Sequence, residues 1–89
     1  MADTLPPATV VFACVANAGR SQMAAAFFNA MADRERARAI SAGTRPGNAV
    51  HPEVVIVMQE VGLDVSAARP RYLATDLTTD AHIVIDGMR

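Results

Sequence analysis

Val10-Val11-Phe12-Ala13-Cys14-Val15-Ala16-Asn17-Ala18-Gly19-Arg20-Ser21-Gln22-Met23 is the stretch whose reading decides how this chain folds. Thr9 to Ala13 is a continuous apolar run rich in β-branched side chains, the pattern of a buried strand. From Ser21 the pattern changes. Met23, Ala24, Phe27, Phe28 and Met31 recur at helical spacing in an alanine-rich stretch, which predicts a helix from about Ser21 to Asp33 covering the sheet with that face. Between strand and helix lie small residues. Gly19 is expected to give the backbone a conformation closed to other residues, so that the N–H groups of Val15, Ala16, Asn17, Ala18, Gly19 and Arg20 converge on one point, as a tetrahedral oxyanion requires. Arg20 adds a planar fork of donors that Lys cannot supply, above the positive end of the helix. Cys14 is the predicted nucleophile, because a helix N-terminus and a neighbouring cation favour the thiolate. Ser21 is expected to hydrogen-bond that thiolate, and Asn17 to pin the loop through its amide. The competing reading of the same residues is an inert buried thiol beside a surface charge.

Outward from the loop, Asp33-Arg34-Glu35-Arg36 reads as a solvated turn, Arg38 to Ala42 as a second strand ending at Gly43, and Thr44 to Asn48 as a loop. Pro52 is placed as the first residue of a second helix. Its apolar face is Val54, Val55, Met58 and Val61, and Gly62 ends it. Leu63 to Asp80 is weakly patterned, with one short helix expected near Thr75, and Ile83-Val84-Ile85 reads as a third buried strand. Strand, helix, strand, helix, strand implies a three-layer α/β domain over residues 1–89, its parallel sheet in the flavodoxin-like order 2-1-3. Ligands of such sheets bind at the carboxyl end of the central strand, where Cys14 lies.

Composition removes several classes. With 89 residues the chain holds one small domain, burying about 60 to 65% of its unfolded surface. Eight Arg, no Lys and a net charge of -1 leave no basic stripe for nucleic acid, so a small or local anionic partner is expected. One cysteine excludes an internal disulfide, and with only two separated histidines no metal site is expected. A lone thiol fits the cytoplasm, and the run Val10 to Ala16 is too short for a membrane span.

Val11 to Ala24, carrying Cys14-Val15-Ala16-Asn17-Ala18-Gly19-Arg20-Ser21-Gln22-Met23, resembles the opening of the arsenate reductases that share the low-molecular-weight protein tyrosine phosphatase fold. Ser41-Ala42-Gly43-Thr44, the Pro52 helix with Met58 to Gly62, Asp64, Ser66 and Arg69-Pro70 fall where that family has similar signatures. Asn17-Ala18-Gly19-Arg20-Ser21-Gln22-Met23 resembles the reductase branch, since phosphatases usually show a second Cys before the Arg and a Pro after the Ser. The resemblance implies thiol-dependent reduction of arsenate, with Cys14, Arg20 and Ser21 as catalytic residues. It implies no bound cofactor, and an external reductant such as glutathione or mycothiol with a redoxin, because the chain has no second thiol. The alternatives are a low-molecular-weight phosphatase forming a cysteinyl-phosphate, and a non-catalytic oxyanion-binding remnant.

Three departures from the family pattern shape further expectations. Relatives often carry His where Ala16 stands, and Ile83-Val84-Ile85-Asp86 looks more like the phosphatase branch. The segment that holds the family's general-acid Asp, with the fourth strand and last helix, is absent from these 89 residues. The domain is therefore expected to be partial, either self-associating along its third strand or marginally folded, and slow, since general acid–base catalysis contributes about 10² to 10⁴-fold. Asp86 is a candidate substitute donor, against a capping role. His51 is read first as a cap or surface residue and second as a substrate contact; His82 is read as structural, and Arg69 and Arg71 as solvated charges or flanks of the site entrance.

Overall fold

The computed structural model describes residues 8–74, 81 and 83–88. Its elements are β1 (Ala8–Cys14), α1 (Arg20–Met31), β2 (Ala37–Gly43), α2 (Pro52–Glu60) and β3 (Ile83–Met88). All strands are parallel in the order β2-β1-β3, so β1 is central and Cys14 ends it. The thiol therefore sits where the chain leaves the sheet and α1 begins. The elements expected near Thr75 and at His82 lie outside the described residues.

Alternation along β1 divides the core. Val10 and Phe12, with Ala39 of β2, meet Ala25 and Phe28 of α1, the rings of Phe12 and Phe28 edge to face at 6.1 Å. On the other face Val11, Ala13 and Ala42 are buried. A second cluster, Val50, Met58 and Val65, packs α2 and the chain after it against Met23 and Ala26 of α1.

Three expectations need correction here. The buried side of α1 is Ser21, Gln22 and Ala25, with Phe28 partly covered, whereas Phe27 and Met31 face solvent. In so alanine-rich a helix an apolar stripe has no sharp edge, and polar residues turn inward where they find partners: Asn29 donates to the Ala39 carbonyl at 2.9 Å and accepts from its N–H at 2.7 Å. Val61 is exposed because α2 stops at Glu60. The turn beyond it bonds Gly62 N–H to the Gln59 carbonyl and Leu63 N–H to the Met58 carbonyl, with Gly62 left-handed at φ 83°. Ile83, Val84 and Ile85 form a strand as expected but are 54, 41 and 41% exposed, since α1 packs over β1 and β2 and β3 lies at the sheet edge.

Past α2, Asp64 accepts the Ser66 N–H at 2.9 Å. Hydrogen bonds from Ser66, its hydroxyl first and then its backbone, hold the Asp64 carboxyl below its ordinary range. A carboxyl depressed in the folded state stabilises above its unfolded pKa, and that contribution is lost as the pH falls through the folded pKa. Ser66→Ala is expected to move the Asp64 titration, followed by NMR, back up toward the free-residue value.

Candidate active site

From Cys14 to Arg20 the chain makes a turn whose carbonyls are all occupied from outside. Thr44, Arg45, Gly47 and His51 donate their N–H groups to the carbonyls of Cys14, Val15, Ala16 and Ala18 at 3.0, 2.8, 2.9 and 2.9 Å. The Asn17 carbonyl accepts from Gln22 Nε2 at 3.1 Å. With the carbonyls turned out, the amides turn in. Asn17 N–H points at Cys14 Sγ, 3.0 Å away, and the N–H groups of Val15, Ala16, Ala18 and Gly19 have no acceptor among the described residues. Unpaired donors beside the start of α1 give the loop a positive interior without a metal.

Asn17 holds this shape. It is fully buried and left-handed at φ 52°, a conformation Asn tolerates better than most residues. Its amide donates to Ser21 Oγ at 2.8 Å and accepts from Arg71 N–H at 2.8 Å and Gln22 Nε2 at 3.2 Å. Ser21 Oγ in turn lies 2.7 Å from Cys14 Sγ. The sulfur thus meets two hydrogen-bonding groups from behind. Gly19, expected to carry the unusual backbone, lies at φ −135° and ψ −99°, neither helical nor extended, while the left-handed step of the loop falls at Asn17.

Two participants were not assigned a role from sequence. Gln22 is buried and also donates to the Arg69 carbonyl at 3.2 Å, so one amide ties the loop to the segment after α2. Its signal was a polar residue inside the helix, next to Ser21. Gly43, at the end of β2, passes under the loop. A Cβ there would collide with the Val15 carbonyl oxygen and lie 3.0 Å from both Cβ and N of Asn17. Both obstacles belong to the constrained loop, so Gly43→Ala is expected to destabilise by about 2 kcal/mol, in the range of overpacking. That should lower the melting midpoint by roughly 10 °C for a domain of this size.

Cys14 to Arg20 line one cavity of about 620 Å³ together with Met23, His51 and Val54. Arg20 is exposed, Ser21 is buried, and exposed His51 lies beside the last turn of the loop, its N–H on the Ala18 carbonyl. Arg69 and Arg71 do not reach it; they line a separate hollow of about 290 Å³ on the far side of Gln22, and meet the site through main-chain atoms. His82 and the Asp86 side chain lie outside the described residues. Among the described residues no group of His, Cys, Asp or Glu is placed to hold a metal.

Fold and site together define a class: parallel α/β proteins with a thiol in an amide-lined loop at the end of the central strand. The chain belongs to the low molecular weight phosphotyrosine protein phosphatase family, whose model matches residues 9–87. It is 46% identical to a Halobacterium salinarum protein named "Putative arsenate reductase", over 82% of this chain and 54% of that one. It thus spans about half the length of that curated relative. Among solved structures it is similar to a thioredoxin-dependent arsenate reductase of Corynebacterium glutamicum (TM-score 0.85, 37% identity, 91% of this chain and 40% of that one). It is also similar to a low molecular weight protein tyrosine phosphatase from T. tengcongensis (TM-score 0.81, 31% identity, 89% and 57%).

Proposed function

We propose that the chain carries the oxyanion-binding, thiol-bearing site of an arsenate reductase, working in the cytoplasm with an external thiol. The observation that carries this is the loop's polarity: its carbonyls are bonded outward, the N–H groups of Val15, Ala16, Ala18 and Gly19 have no acceptor among the described residues, and these residues line a cavity together with Cys14. In this reading the N–H groups from Val15 to Arg20 and the Arg20 guanidinium hold the arsenate oxygens, as charge-assisted donors to an oxyanion do. The Cys14 thiolate attacks arsenic, and one arsenate hydroxyl takes a proton from solvent and departs as water, leaving a sulfur–arsenic bond without change of oxidation state. A second thiol then attacks Cys14 Sγ. The sulfur–arsenic bond breaks toward arsenic, arsenite leaves with the two electrons, and Cys14 is left in a mixed disulfide. These 89 residues hold one cysteine, so the second thiol comes from outside them, in this reading from glutathione or mycothiol with a redoxin. Arsenate-dependent oxidation of glutathione by the purified chain tests this reading. Saturable arsenate binding without thiol oxidation would leave only an oxyanion-binding module.

One observation favours a second reading. The cavity is far larger than one oxyanion and is walled by Val15, Met23 and Val54, which suits the organic group of a phosphate monoester. Release of phosphate from an aryl phosphate, faster than any arsenate-dependent thiol oxidation, would establish the phosphatase instead.

A further inference from the structure

We infer that His51 is a second side-chain donor to the bound oxyanion, facing the loop from the start of α2; this rests on the oxyanion reading of the loop. His51 occupies the N-cap of α2, yet its side chain caps nothing. Its structural duties are done by main-chain atoms: the N–H donates to the Ala18 carbonyl at 2.9 Å, and the carbonyl accepts from Val54 and Val55 at 3.0 and 3.2 Å. The imidazole is left over. It is exposed, it lines the loop's cavity, and a Cβ added to Gly19 would lie 3.7 Å from its Nδ1, so the ring rests beside the loop's last turn.

The inventory of the cavity singles it out. Four lining residues have polar side chains: Cys14, Asn17, Arg20 and His51. The Asn17 amide is committed to Ser21, Gln22 and Arg71, and Cys14 is the proposed nucleophile. Among the described residues that line the cavity, only Arg20 and His51 remain to meet an anion from its open side. The backbone bond to Ala18 fixes the main chain of His51 to the loop, and Pro52 restricts its backbone further, so the ring is carried at the edge of the cavity before any anion arrives.

The test is protection of Cys14 from iodoacetamide by arsenate, read as the concentration that halves the alkylation rate, in the wild type, His51→Ala and His51→Gln. Both variants keep the backbone bonds, and the glutamine keeps a side-chain donor. The expected result is saturable protection in the wild type, a half-protecting concentration about tenfold higher in His51→Ala, and partial recovery in His51→Gln. No protection of the wild type would overturn the loop reading and this one with it. Protection in the wild type that is unchanged in both variants, or equally weakened in both, would overturn the role of His51 alone.

Discussion

Cys14→Ser is expected to abolish arsenate-dependent thiol oxidation, by at least about 10³-fold, while the chain still folds. The hydroxyl fits the space of the thiol and can keep the contacts from Asn17 N–H and Ser21 Oγ, so the cradle survives. What is lost is the nucleophile, because an alcohol is far less ionised than a thiol at neutral pH and forms no disulfide with the incoming reductant. None of the other residues among these 89 is a cysteine that could take over. Glutathione oxidation at saturating arsenate, with a thermal melt of both proteins, checks both halves. A variant that melts with the wild type but retains more than a tenth of its rate would place the chemistry elsewhere.

Asn17→Ala should cause the largest loss of stability of any single change in the loop. It removes the acceptor of the Arg71 N–H and one partner each of Ser21 Oγ, which keeps Cys14 Sγ, and of Gln22 Nε2, which keeps the Asn17 and Arg69 carbonyls. Three lost hydrogen bonds at roughly 0.5 to 1.5 kcal/mol each, the one to the Arg71 N–H at the upper end because that donor is left without its acceptor, make up most of the cost. Alanine at φ 52° adds roughly 1 kcal/mol that asparagine largely escapes. A total of about 3 kcal/mol is expected, lowering the melting midpoint by roughly 15 °C. Asn17→Gly separates the two effects: it loses the same hydrogen bonds but accepts the backbone, and should be the milder by about 1 kcal/mol. Urea unfolding of both variants measures the difference. If the glycine variant is the less stable, the left-handed conformation is not what asparagine supplies.

These two residues also show what the sequence makes legible. Cys14 and Asn17 stand in a run of small residues between a β-branched strand and a helix, so the loop, its place at the end of the central strand, and the order of the sheet all follow from local pattern and connection rules. The left-handed step was harder to place, because Gly19 is the conformationally freer residue but Asn17 has the amide that bonds on three sides. Gly43 is 29 positions from Cys14, and its closeness to Val15 and Asn17 arises only when β2 pairs with β1 in register, Cys14 opposite Gly43. Gln22 was legible as a polar residue, but its acceptor at Arg69 comes from the weakly patterned segment after α2. The facing of α1 and the exposure of β3 depend on what lies over each surface, which apolar periodicity alone does not record.

Whether Cys14 both holds arsenic and receives the reducing thiol is decided by intact-mass analysis of the chain after one turnover with arsenate and glutathione. The account predicts one glutathione bound through Cys14 per chain, formed only when arsenate is present and matched by one equivalent of arsenite. Glutathione adducts that form equally without arsenate, or arsenite released while Cys14 stays unmodified and Cys14→Ser keeps pace with the wild type, would contradict it.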